Sequence, residues 1–154
     1  MKHALLLFAL IALQACDFSK RIDTAAAVKE MKARQVKRVL PQDIVNQVDV
    51  WGKDLQVNLE KGLAADSLSQ KNKVLIISGP TNILKQSMKD AKIVEMLEAI
   101  EYGITQKQEI PPSIQKNSAG DSLFYIYPNQ KGDVTLIGFS KQQVIIQMDK
   151  PLIK

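Results

Sequence analysis

Apolar and polar positions along this chain change their period twice, and each change predicts a different kind of element. From Ile22 to Leu40, Ala25, Val28, Met31, Val36 and Val39 gather on one side of a helix and Arg34, Lys37 and Arg38 on another. Lys29 and Lys32 blur the apolar edge of that helix. After Pro41, which suits a first helical turn, Ile44, Val48, Trp51, Leu55 and Leu59 recur every three or four residues, and Gly62 offers a stop. Trp51 lies on this stripe and is expected in the core, whereas Gly52 beside it weakens the helix by about 1 kcal/mol against alanine. Lys73-Val-Leu-Ile-Ile-Ser78, closed by Gly79-Pro80, reads as a buried strand.

Further on, Leu84, Met88 and Ala91 fall on one helical face, while Ile93, Met96, Leu97, Ile100 and Ile104 fall on the opposite one. One straight helix cannot bury both faces, so two helices are expected, with a break near Asp90 and Asp90 as the cap. Gly103 and Pro111-Pro112 close the helical half. The last third takes the strand period over residues 122–127, 134–139 and 144–148, with a turn across Asn129 to Asp133. Short links between successive strands predict an antiparallel β-meander. Helices first and a meander last make the fold class α+β, in one domain over residues 41–154.

The beginning of the chain follows neither period. Lys2 precedes an apolar run from Ala4 to Leu13, closed by Gln14, Ala15 and Cys16. A membrane-spanning helix needs about 20 apolar residues, and this run has roughly half that, which is the layout of a secretory signal over residues 1–15. Leu13-Gln14-Ala15-Cys16 resembles the lipobox of bacterial lipoproteins, with Gln14 a less usual occupant of its place. The resemblance implies cleavage before Cys16, a diacylglycerol thioether on its sulfur, an acyl chain such as palmitate on its new amine, and residence in the cell envelope as a lipid-anchored membrane protein. Two or more chains hold stably where one holds marginally, each buried methylene contributing about 0.8 kcal/mol. Asp17 is similar to an inner-membrane retention signal of some enteric bacteria, but other groups sort differently, so both membranes stay open.

Charge divides the rest. Between Phe18 and Arg38 stand Lys20, Arg21, Lys29, Lys32, Arg34, Lys37 and Arg38 against Asp23 and Glu30, whereas from Val39 onward thirteen lysines balance thirteen acids. The formal excess of +5 is therefore concentrated next to the anchor, in a basic helical arm over residues 16–40. Such an arm is either a solvated stalk or a contact for anionic headgroups. Nucleic acid is not expected as a partner of an envelope protein.

The chemical inventory is mainly negative. His3, the only histidine, leaves with the signal, and Cys16 is the only cysteine, so imidazole bases, thiolate nucleophiles, disulfides and Cys/His metal sites are excluded from the mature chain. No glycine-rich phosphate loop is present, and no cofactor is expected. Ser87-Met-Lys89 and Ser140-Lys141 bring serine near lysine without a recognisable catalytic motif. Glu95, Glu98 and Glu101 form an acidic row that reads as a solvated helix face. Tyr125 and Tyr127 share one side of a strand and Phe124 the other, so the tyrosine pair marks either a ligand or partner face or the cover under a helix.

A helical arm, Lys37-Arg38-Val39, an acidic-apolar helix and Gly120-Asp-Ser-Leu-Phe-Tyr-Ile-Tyr-Pro128 resemble a PAS-like envelope family that includes c-type haem proteins and sensor modules. That resemblance implies a PAS-like sheet. The family's Cys-x-x-Cys-His would follow the tyrosine-proline strand, where this chain reads Asn129-Gln-Lys-Gly-Asp-Val, so the haem motif is absent. The expected function is a non-catalytic binding or sensory accessory domain anchored to the membrane. The rivals are a structural lipoprotein docking onto an envelope protein assembly, and a hydrolase using serine and lysine or paired acids.

Overall fold

The computed structural model describes residues 24–25, 28–29, 39–129, 132–148 and 152, in a chain that divides into two compact units, Met1–Arg38 and Val39–Lys154. Of the first unit, Thr24, Ala25, Val28 and Lys29 are described, and all four are helical and exposed. Helix does not continue to Leu40 as the apolar period suggests. Leu40 is extended (φ −80°, ψ 152°), because a residue before proline is pushed out of the α region.

The second unit opens with α1 (Pro41–Glu60), and α2 (Ala65–Asn72) leads into β1 (Leu75–Gly79). Next come α3 (Thr81–Ser87) and α4 (Ala91–Thr105), then β2 (Ser113–Lys116), β3 (Ser122–Pro128), β4 (Val134–Ser140) and α5 (Lys141–Gln147). The strands form one antiparallel sheet in the order β1-β4-β3-β2. Helices lead and a meander follows, as an α+β fold requires.

The meander's membership differs from the periodic reading. Residues 113–116 join it, whereas residues 144–148 do not, since Lys141–Gln147 is helical. The reason is topological: β4 already pairs with β1 on one side and β3 on the other, so no place beside it remains for a returning strand. The Val-Ile-Ile run instead turns Val144 into the core and leaves Ile145 and Ile146 exposed.

Both faces of the sheet are covered. Leu123, Tyr125 and Tyr127 of β3 and Ile137 and Phe139 of β4 pack with Ile44, Val48, Trp51 and Leu55 of α1, Leu68 of α2 and Val144 of α5. The alternate residues Ile126, Val134 and Leu136 pack on the other face with Leu84 of α3 and Ile93, Leu97 and Ile100 of α4. Trp51 is 2% exposed and sits 6.1 Å from Phe139 between ring centres.

The chain signals at the helix ends operate as the sequence suggests. Pro41 is in the first turn of α1 and Asp43 accepts a hydrogen bond from the Leu40 amide at 2.9 Å. Gly62, at φ +87°, takes the left-handed turn that closes α1. Asp90 caps α4, its Oδ1 accepting from the amides of Lys92 (3.1 Å) and Ile93 (3.3 Å), and its Oδ2 from the Ser118 amide at 2.8 Å. These donors, Ser118 foremost, hold its carboxyl below the usual carboxylate range.

Candidate functional site

Tyr125 and Tyr127 lie on the α1 side of β3, with ring centres 5.8 Å apart. Their two rings have different tasks. The Tyr125 ring packs against α1 at Gly52, where a Cβ would come within 2.4 Å of it. Glycine at this helical position is therefore set by close approach of an aromatic ring, a reason the helix period cannot show. The Tyr125 hydroxyl donates to Gln56 Oε1 at 2.9 Å, and Gln56 Nε2 donates to Glu60 Oε1 at 2.9 Å. Burial first, then the negative charge of Asp49 and Glu60, pushes the Tyr125 phenol up to about 12.

Tyr127 lies two residues further along β3. It lines a cavity of about 380 Å³ together with Leu59, Glu60, Gly62, Ser78, Asn129 and Thr135. Ser78 and Thr135 are paired across β1 and β4, and their hydroxyl oxygens are 2.8 Å apart. Thr135 in turn hydrogen-bonds Tyr127, whose pKa is raised by burial against the opposing effect of that bond. Three hydroxyls in a row thus form one wall, Leu59 supplies an apolar surface, and Glu60 brings a carboxylate held by Gln56. Asn129 is kept in place as its Oδ1 accepts the Asp133 amide at 3.1 Å. The volume falls in the range of small-molecule pockets, and convergent polar groups above an apolar surface are their usual lining.

A second, shallower cleft of about 580 Å³ runs beside α5, lined by Gly120, Asp121, Ser140, Lys141, Ile145 and Ile146 among others. It contains the Ser140-Lys141 pair, but both residues are exposed. The Ser87 hydroxyl donates to the Leu84 carbonyl at 2.9 Å, and Lys89 is exposed. In the acidic row, Glu101 is bound by Lys85 at 2.5 Å, while Glu95 and Glu98 face outward. Among the described residues, no group of three or more His, Cys, Asp or Glu side chains is placed to hold a metal ion.

Cys16, Lys20, Arg21, Lys32, Arg34, Lys37 and Arg38 lie outside the described residues, and Lys29 is helical and exposed. No described helix is long and apolar enough to cross a membrane. Of the cavity residues, the strand period singles out Tyr127 alone. Ser78 and Thr135 carry a signal that could have found them, since each is a hydroxyl inside an otherwise apolar strand. Glu60 and Asn129 have no such signal, for they reach the site through the end of a helix and the start of a turn.

No protein-family model, no curated protein and no solved structure matches this chain.

Proposed function

We propose that the chain is a lipid-anchored, non-catalytic binding domain of the bacterial cell envelope, held to the membrane through an acylated Cys16 and taking a small ligand in the cavity between the end of α1 and the sheet. The observation that carries the binding reading is that cavity of about 380 Å³, lined by Tyr127, Thr135 and Ser78, whose hydroxyls are hydrogen-bonded in a row. A protein serving only as a structural dock has no use for polar groups converging on a concavity. The anchor rests on the lipobox-like Leu13-Gln14-Ala15-Cys16, and the basic arm beside it suits a position close to anionic headgroups.

The anchoring half is tested by labelling cells with palmitate. The wild type is expected to take up label and fractionate with membranes, and Cys16→Ser to do neither. Equal labelling of the two would overturn the anchor. The binding half is tested by calorimetry of the intact protein against small polar compounds of each charge class, where heat of binding abolished by a cavity substitution supports it.

A further inference from the structure

We propose that this cavity selects a small organic ammonium ion, with Glu60 as its counter-charge. The inference rests on the binding reading above and adds the class of ligand. Among the described residues that line the cavity, Glu60 alone carries a charge. Its carboxylate is oriented by Gln56, which is fixed from its other end by the buried Tyr125 hydroxyl. Glu60 thus has one oxygen engaged and the other available beside the cavity.

The fold adds a second negative contribution at the same place. Leu59, Glu60 and Gly62 are the last residues of a 20-residue helix and its closing turn, so the cavity lies at the negative pole of α1. Helices commonly offset that pole with lysine or arginine, but the last turn of α1 contains no basic residue, and the exposed Lys61 that follows is not among the lining residues. An anion entering here would meet a carboxylate and the helix pole together. A cation would be attracted by both.

The remaining walls suit the rest of such a molecule. Leu59 suits a short alkyl stem, and the Ser78, Thr135 and Tyr127 hydroxyls suit a polar tail. Neither metal-like nor phosphate-like ligation is implied, because one carboxylate and three hydroxyls form no cage and, among the described residues, no cationic side chain lines the site.

The test titrates the intact, detergent-solubilised protein with n-butylamine, n-butanol and butyrate, which share a stem and differ in charge. Butylamine is expected to bind about tenfold more tightly than butanol, with butyrate weaker still, and Glu60→Gln to reduce amine binding by about tenfold. Because Glu60 is exposed, this variant should keep the wild-type melting temperature, which separates lost binding from lost fold. Glu60→Lys should reverse the preference in favour of butyrate. Equal binding of butanol and butylamine, tighter binding of butyrate by wild type, or an unchanged amine affinity in Glu60→Gln would each overturn the ammonium inference while leaving a binding domain in place. Heat from none of the three probes would remove both.

Discussion

At the scale of single residues, the contact between Gly52 and Tyr125 sets one helix against the sheet. Alanine is intrinsically the better helix former by about 1 kcal/mol. Here its methyl would lie 2.4 Å from the aromatic ring, so Gly52→Ala is expected to destabilise by about 1–3 kcal/mol in denaturant unfolding. The neighbouring hydroxyl has a pH signature. The phenol of Tyr125 is raised by burial, so the neutral form is favoured in the folded state. Its contribution is complete below the ordinary value near 10 and is lost as pH rises to about 12. Alkaline unfolding should therefore begin in that interval and shift upward in Tyr125→Phe, at a cost of about 1 kcal/mol near neutrality for the lost bond to Gln56. Asp90 behaves with the opposite sign. Its carboxyl is held low by Ser118 and the α4 amides, so its contribution is present above the ordinary carboxylate range and lost as pH falls below it.

At the scale of elements, α5 decides how the sheet is finished. Its Gln143 donates from Nε2 to the Asn72 carbonyl at 2.5 Å, tying it to the end of α2, and Val144 is fully buried. Val144→Ala should cost about 2 kcal/mol, whereas Ile146→Ala, at a position 67% exposed, should stay within about 0.5 kcal/mol. Two equal losses in thermal unfolding would argue that residues 144–146 pair as a strand. Much of this level was legible from period alone. The α1 stripe, the break at Asp90 and the β3–β4 hairpin all follow from spacing and cap chemistry, because each is determined by neighbours within a few residues. The β1 run is a strand as expected but not a buried one, since it lies at the sheet edge beside β4 alone, with Leu75 47% exposed. The exceptions have non-local causes. Residues 144–148 have strand composition but no free partner beside β4, and Ser113–Lys116 has one apolar residue in four, too few to show a period. The cavity was half legible: Tyr127 was marked by alternation, but Glu60 joins it through tertiary packing that no local pattern encodes.

For the whole molecule, the division of charge matters more than the total. Residues 39–154 balance their lysines and acids, so attraction to an anionic surface resides in the seven basic residues between Phe18 and Arg38. Each is worth up to about 1 kcal/mol near such a surface, over a screening distance of about 8–10 Å at ordinary ionic strength. If the arm contacts headgroups, protein prepared without any lipid should bind anionic vesicles, release them as salt rises, and lose the interaction when Lys20, Arg21, Lys29, Lys32, Arg34, Lys37 and Arg38 are all changed to glutamine. Retained binding in that variant would place the contact on the folded domain instead. Its melting curve should match that of the wild type, since every changed position lies outside the compact unit Val39–Lys154.

The single tryptophan of the chain is the one wedged against Phe139, on the α1 face and 2% exposed. Fluorescence excited at its red edge therefore reads one environment only, a dry one, with a second tryptophan nowhere to dilute it. Unfolding will shift that emission toward longer wavelengths in a single step, while occupancy of a pocket lined by tyrosine but not by tryptophan should leave it nearly still. The molecule thus carries separate optical channels for losing its shape and for filling its site.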